Sequence, residues 1–576
     1  MRMFVPISVG GWARLFSRWD VIAVLLIVGL LVFLGEASRN LFQPLVDLQR
    51  SPPSLDPVHL PEYAARTTLR MLVAMALSLL FTFTYATFAA KSRRAERILV
   101  PLLDILQSVP ILGFISVTVV FFMALAPGKV LGAEFAAIFA IFTSQAWNMA
   151  FSFYQSLRTV PTELTEASRN FRFSAWMSFW RIDVPFAMPQ LIWNMMMSMS
   201  GSWFFVVASE AISVGNTTVT LPGVGSYIAL AIQQQNLRAV MWAIFTMLVV
   251  ILIYDQILFR PLVAWADRFR FEQEPGAIVP GSWVLNVLRR SRVVDRLTHP
   301  LGTLWRRTLI GHPPDSIETV KPVSQSRRGG WIAFQWGLIV VAVTGLVLWQ
   351  SASFLIEGIT LSDVGTVLLL GFYTLIRVMV LIALATAIWV PIGVWVGTRP
   401  YATLVVQPIA QFLAAFPANV VFPIVVSGIV AWKLDPNIWL SPLMVLGTQW
   451  YILFNVIAGA SAIPAELRAA GANFRVRGWL WWRRIALPAV MPYYVTGAIT
   501  ASGGSWNASI VAEVASWGNE HLEAKGLGAY IAQQTDAGDF HRIVLGIVVM
   551  SLYVVLINRI LWRPLYQYAE RKFRLG

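Results

Sequence analysis

The chain has 576 residues, 57% hydrophobic and only 13% charged, with a mean hydropathy of +0.66; soluble domains carry about 25% charged residues, so this is an integral membrane protein. Cysteine is absent, which excludes disulfides and thiolate metal sites. The net charge of +15 sits in short loops and tails between apolar runs, where topology and anionic lipid headgroups account for it and no nucleic-acid partner is needed.

The N-terminal stretch MRMFVPISVGGWARLFSRWD leads into the apolar run Val21 to Leu34 without a small-residue cleavage site. It reads as a basic cytoplasmic flank and a first spanning helix, not as a cleaved signal. A spanning helix needs about 20 mostly apolar residues. By that measure helices are predicted at 20–36, 67–90, 98–126, 132–156, 190–213 and 238–259, then at 331–352, 365–397, 404–431, 437–459, 493–515 and 543–562. The expected fold class is all-α integral membrane, with two parallel repeats of about six transmembrane helices each. Basic residues mark the inner loops: Lys91, Arg93, Arg94 and Arg97, then Arg158, Arg169, Arg172 and Arg181, and in the second half Arg399, Arg468, Arg475, Arg477, Arg483 and Arg484. Arg563, Arg571, Lys572 and Arg574 place the C-terminus inside as well, and the proline-rich segment 37–66 becomes an external loop. The expected domains are residues 1–265, a cytoplasmic linker 266–330 and residues 331–576. Within the linker, Trp283 to Val294 reads as a short amphipathic helix on the membrane surface.

One stretch occurs twice. Val160 to Pro189 reads VPTELTEASRNFRFSAWMSFWRIDVPFAMP, and Ile463 to Pro492 reads IPAELRAAGANFRVRGWLWWRRIALPAVMP. At a constant offset of 303, Pro161, Glu163, Phe171, Arg172, Trp176, Arg181, Pro185 and Pro189 recur as Pro464, Glu466, Phe474, Arg475, Trp479, Arg484, Pro488 and Pro492. A solvated basic loop kept only for its charge has no need of the same Pro, Glu and Trp spacing, so each copy reads as a docking element. The duplication extends further: Ser202-Trp203 recurs as Ser505-Trp506, Glu210 as Glu513, and Gly223-x-Gly225-x-Tyr227 as Gly526-x-Gly528-x-Tyr530. Upstream the offset becomes 307, matching Pro101 and Pro110 to Pro408 and Pro417, and Arg70 to Arg377.

These loops resemble the EAA coupling motif of ABC importer membrane subunits: Glu-Ala-Ala, three residues, Gly, then a run to Leu-Pro. Here the copies hold Glu166-Ala167-Ser168 with Val184-Pro185, and Ala469-Ala470-Gly471 with Leu487-Pro488. The flanking Trp-x6-Glu, Trp203 to Glu210 and Trp506 to Glu513, is similar to the nitrate/sulfonate/taurine/bicarbonate branch, and two fused copies look like a duplicated anion-importer permease. Two positions depart from the pattern: its Gly is Arg172 and Arg475, and the Glu of the second copy is Ala469. Without that Gly the turn is expected at Ser174 or Gly478 instead. The resemblance implies a type I ABC importer-like fold in a bacterial inner membrane, with the chain acting as a transport subunit and not an enzyme. It also implies two separate ABC ATPase subunits that carry ATP and magnesium, and a periplasmic or lipid-anchored solute-binding protein docking on 37–66, 214–237 and 516–540. The chain itself has no G-x-x-x-x-G-K-[S/T] phosphate loop; Gly128-Lys129 lacks the upstream Gly. Phe171, Trp176, Phe474 and Trp479 are the expected anchors on the ATPases. Glu163, Glu166 and Glu466 have two readings, contact with basic groups of the partner or capping of their own helix.

Ionisable groups within spanning helices are functional candidates by default, which singles out Arg70, Glu210, Arg377 and Glu513 for the pathway. Snorkelling is the plainer reading of the two arginines, and pairing with the glutamates is the other. Gln107, Asn148, Asn194 and Asn507 line a cavity or bond between helices, and Pro110 and Pro417 kink the third helices. The cargo expected is a small anion. The alternatives are another small solute carried by the same machinery, and an ion-coupled secondary transporter using Glu210 and Glu513.

Overall fold

The computed structural model describes residues 18–38, 53–108, 111–214, 217–269, 281–310 and 358–573, with isolated positions between 345 and 354. Pro110, most of the helix expected at 331–352 and the linker beyond residue 310 lie outside the described residues. Among those described, seven helices are long and apolar enough to span a membrane, or nine if each of two bent pairs forms one span.

Helix α1 is Arg18–Ser38. Helix α2, Pro57–Lys91, starts about ten residues before the hydrophobic run because Asp56 caps it, accepting from the Val58 N–H at 3.0 Å. Pro57 and Pro61 fall in its opening turns, where a missing N–H costs nothing. The expected third helix is two pieces, α3 (Arg93–Ser108) and α4 (Ile111–Leu125), followed by the continuous α5 (Val130–Arg158). A short helix α6 (Thr162–Asn170) precedes α7, Ala175–Ser209. What reads as the external loop 214–237 is built: β1 (Ala211–Val214) pairs antiparallel with β2 (Thr217–Thr220), and a half-length helix α8 (Val224–Gln233) follows. Helix α9 is Leu237–Ala266. The linker holds α10 (Trp283–Arg290) and α11 (Arg292–Ile310), two helices split at Ser291 where a single short one was expected.

The second half repeats this order. Helix α12 is Leu361–Gly397, and α13 (Pro400–Ala415) is bent by more than 40° from the segment containing α14 (Phe422–Ala431). Pro417 causes the break by driving Phe416 into extended backbone, φ −73° and ψ 127°. The fourth helix is also broken here, into α15 (Pro436–Leu446) and α16 (Gln449–Ser461), bent by 44°. Pro442 and Gly447 stand where α5 has Phe139 and Ser144. Then come α17 (Ala465–Asn473), α18 (Gly478–Ala512), a hairpin of β3 (Val514–Trp517) and β4 (Glu520–Glu523), the half-length α19 (Leu527–Ala537) and α20 (Phe540–Ala569).

Helices α7, α9, α18 and α20 each hold one π-helical turn, at Phe179–Asp183, Asp255–Phe259, Trp482–Ala486 and Asn558–Trp562. Pro185, Pro261, Pro488 and Pro564 follow each of them two residues later. Proline has no N–H to return to the preceding turn, and the wider turn absorbs the missing bond. The fifth helices therefore begin earlier than expected, within Arg- and Trp-rich sequence that hydropathy assigned to loop.

The two halves share one continuous core that contains Trp203 and its counterpart Trp506, each 1% exposed. They meet at equivalent places. The broken third helix of each half touches the fifth helix of the other: the Ile111 N–H donates to Asn507 Oδ1 at 2.6 Å, and Asn419 Nδ2 donates to the Phe204 carbonyl at 3.0 Å. Phe204 and Asn507 are themselves equivalent at offset 303. Each half-length helix also packs on the opposite hairpin, with the Gly518 N–H donating to the Ile232 carbonyl at 3.0 Å.

Candidate coupling loops and buried ion clusters

Helices α6 and α17 end in the same way. The Phe173 N–H donates to the Ser168 carbonyl and the Arg172 N–H to the Arg169 carbonyl, both at 2.9 Å; Val476 donates to Gly471 at 2.8 Å and Arg475 to Ala472 at 3.1 Å. This pair of bonds is a Schellman closure, which needs a left-handed residue just past the helix. Arg172 and Arg475 are that residue, at φ +52° and +51°. The expectation that the turn moves to Ser174 or Gly478 is thereby corrected: the arginines themselves take the conformation for which glycine is suited, at a cost of roughly 1–2 kcal/mol each. Ser174 has another task, capping the start of α7 by accepting from the Met177 N–H at 3.2 Å. Gly478 is also left-handed, φ +58°, and begins α18.

The small residues have a packing reason. Ser168 is buried, and a Cβ on Gly471 would lie 2.7 Å from Ile485 Cδ1, so the last position of each Glu-Ala-Ala-like triplet faces the base of the fifth helix. Leu467 and Val476 pack inward as well, on Ile463, Ile485 and Ala489, while other positions of each loop face outward. Glu163, Glu166, Glu466 and Ala469 are exposed, and Ala167 and Ala470 are half-buried. Pro161 and Pro464 occupy the cap positions without side-chain capping bonds, so Glu163 and Glu466 favour the helix start only through its dipole. Phe171 and Phe474 are 74% and 82% exposed, Trp176 and Trp479 38% and 73%, which leaves two large exposed rings on each loop. Pro185 and Pro488 are half-buried just beyond the π turns. The first loop has an extra fastening: Lys91 Nζ lies 2.5 Å from Asp183 Oδ2, joining the end of α2 to the π turn, whereas Ala486 stands in the corresponding place of the second half.

The other ends of the fifth helices carry the intramembrane charges. Arg70 is 3% exposed and does not snorkel. Its Nε and Nη2 form a two-pronged bond to Glu134, both at 2.6 Å, and Nη1 donates to Glu210 at 2.6 Å. Glu210 also accepts from Thr67 Oγ1 at 2.6 Å and from the Gly225 N–H at 2.7 Å, and Thr67 Oγ1 accepts from the Val224 N–H at 3.1 Å. In the second half Glu513 accepts from Arg377 Nη1 at 3.1 Å, Thr374 Oγ1 at 2.8 Å and the Ala529 N–H at 3.1 Å, while Thr374 accepts from Leu527 at 2.8 Å. Asn437 replaces Glu134 and accepts from Arg377 Nη2 at 3.3 Å. Each cluster therefore ties the start of a half-length helix to the second and fifth helices. The glycines before those helices are required by the close approach: a Cβ on Gly223 or Gly526 would overlap the carboxylate of Glu210 or Glu513.

The family model described as "binding-protein-dependent transport system inner membrane component" matches residues 82–260 and again 389–574, together more than half of the chain. The chain belongs to that family. It is 23% identical over 188 residues to a nitrate import permease protein of Synechocystis, covering 33% of this chain and 65% of that one. It is 25% identical over 186 residues to a bicarbonate transport system permease protein of Synechococcus elongatus, covering 32% and 64%. The matches thus span just under two thirds of those relatives' length. A probable ABC transporter permease protein of Brucella abortus is 24% identical over 250 residues, 42% of this chain and 92% of that protein.

In this transport component the first family match takes in the first loop and Glu210, and the second takes in the second loop and Glu513. Arg70 lies just before the first match and Arg377 just before the second. Asn194 bonds between helices, donating to Ser152 Oγ at 2.8 Å, and Asn507 bonds between halves; Gln107 and Asn148 are exposed. Glu134 was missed from sequence although the signal was present: it is the one carboxylate in the apolar stretch 132–156. Thr67, Thr374 and Asn437 carried no such signal, because hydroxyls and amides are common in spanning helices.

Proposed function

We propose that the chain is a two-half permease of an ATP-driven importer, and that α6 and α17 seat in grooves of two separate ATPase subunits on the cytoplasmic side. The observation that carries this reading is the pair of identically closed, outward-facing loops, one per half, each continuous through a π turn with a fifth helix that ends in a buried ion cluster. A push on either loop is transmitted along one rigid element to the clamp at its far end. Closure of the ATPase dimer draws the loops together, and the halves rock between inward- and outward-open arrangements about their shared core. Phe171, Trp176, Phe474 and Trp479 are the anchors, because exposed aromatic rings supply most of the energy at docking sites.

The cargo we propose is a small oxyanion or organosulfonate, supported by the nitrate and bicarbonate permeases among the relatives. It is delivered by a periplasmic or lipid-anchored binding protein that docks on the hairpins and half-length helices. Arg70, Glu210, Arg377 and Glu513 act as clamps on those helices, since their charges are already met by one another. The test is recovery of the chain from its native membrane with its partners, followed by ATPase assay with candidate anions. Trp176→Ala with Trp479→Ala is expected to abolish recovery of the ATPase. An ATPase absent from mild-detergent and crosslinked preparations alike would refute the reading, and ion-coupled flux through Glu210 and Glu513 would then be measured.

A further inference from the structure

The linker helices do not hang free. Asp20, in the first turn of α1, is fully buried and accepts from Ser291 Oγ at 2.8 Å and the Val293 N–H at 3.1 Å. Ser291 is the hinge between α10 and α11, so this one carboxylate fixes the angle of both helices at the end of an apolar helix. The Arg290 guanidinium lies 5.3 Å over the Trp19 ring, a second tie to the same place. Helix α10 also packs against the end of α9, and α11 packs against the opening turn of α7, beside the first coupling loop. The second coupling loop has no such neighbour among the described residues.

Residues 283–310 hold six arginines and one carboxylate, Asp295. Arg289, Arg290, Arg292 and Arg296 are exposed, and Arg289, Arg290 and Arg292 line one surface cleft with Ser291, Asp295 and Thr298. Trp283 is half-exposed at the start of α10 while Val284 and Val287 are buried, so the helix has one apolar face against the protein and one basic face outward. Asp20 pins this cleft to the first turn of the apolar helix α1, so the arginines sit beside the end of that helix.

We propose that the cleft at the α10–α11 hinge binds the phosphate of an anionic phospholipid headgroup, and that the bound lipid steadies the first coupling loop through α11. The side assigned to the membrane rests on the coupling reading above. The geometry favours a headgroup over a soluble polyanion such as RNA, because the cleft is small and its neighbours are the apolar helices α1 and α9. The occupant also accounts for the charge of the cleft: Arg289, Arg290 and Arg292 line it with Asp295 as the one carboxylate among its lining residues.

The test uses the full chain in nanodiscs of neutral phosphatidylcholine, compared with discs containing about one third phosphatidylglycerol, read by hydrogen exchange of peptides covering 283–298 and 162–178. Each arginine near an anionic surface is worth about fivefold in affinity. Phosphatidylglycerol is expected to slow exchange in both peptides severalfold, and R289Q/R290Q/R292Q is expected to remove the effect. The control variant R571Q/K572Q, at another basic surface, is expected to retain it. Equal exchange in the two lipids, or equal loss in the control variant, overturns the proposal. Protection by inorganic phosphate or by an RNA oligonucleotide in neutral discs overturns the assignment to lipid. Protection of 283–298 without 162–178 overturns the link to the coupling loop. Since no ATPase is present, a failure of the coupling reading shows separately, in the recovery experiment.

Discussion

The first half of the molecule is fastened by charge at both ends of its fifth helix, and the second half by charge at one end only. Arg70 is gripped by Glu134 and Glu210 and sealed from solvent, whereas Arg377 has Glu513 and a neutral Asn437 and is 14% exposed on its side chain. At the coupling end Lys91 reaches Asp183, while the second half has Ala486 there. There the second helix packs closely on the fourth instead: a Cβ on Gly393 or Gly397 of α12 would overlap Val456 or Ala460 of α16. A duplicated architecture thus keeps its joints in the same positions and makes them by different chemistry. What the two halves share is the position of each joint; what differs is how tightly it holds.

The largest test of that difference is at the clamps. Arg70→Met strands two buried carboxylates and is expected to cost about 3–5 kcal/mol in thermal unfolding of the purified protein, because an uncompensated buried charge is far costlier than a missing pair. Arg377→Met is expected to cost clearly less, since only Glu513 is left behind and the site is partly open. Equal losses would erase the contrast, and Glu134→Gln should bring the first half down toward the second. Gly223→Ala and Gly526→Ala sharpen the shared part. Each pushes a methyl group into a carboxylate and is expected to cost about 1–3 kcal/mol, with faster hydrogen exchange in residues 224–233 and 527–537. A half whose half-length helix stays protected does not use its glutamate as a clamp.

Smaller effects are expected in the loops. Arg172→Gly and Arg475→Gly should each stabilise the local turn by about 1 kcal/mol, the relief of a left-handed side chain, seen as slower exchange over 162–178 and 465–481. If either variant loosens its loop instead, the arginine contributes a contact that outweighs its strain. Asp183→Asn is expected to cost at most about 1 kcal/mol, because Lys91 is half-exposed and such pairs are weak. Its loss should vanish in high salt, a dependence that the second half, with no such pair, does not show.

Much of this organisation was legible in the chain itself. The duplication, the membrane class, the two loops and the residues that recur at offset 303 follow from counting and spacing, because hydropathy and repeat period are local properties of the sequence. The pairing of Arg70 with Glu210 stood as one of two readings, and the burial that chooses it depends on α2, α5 and α7 meeting. Hydropathy misjudged the fifth helices, since their inner turns are polar and continue only because a π turn absorbs each proline. It also gave the stretches after Glu210 and Glu513 to loop, where hairpins and half-length helices form around those carboxylates, held by threonine and arginine side chains of the distant second helices. The left-handed arginines are the sharpest case. Residue type argued for a turn at a neighbouring serine or glycine, but the two carbonyls waiting at the end of each short helix fixed the turn at Arg172 and Arg475. Sequence by itself determined that this is a membrane protein built of two repeats; tertiary structure decided which polar groups satisfy one another, because a buried charge takes its partner from whichever helix packs beside it.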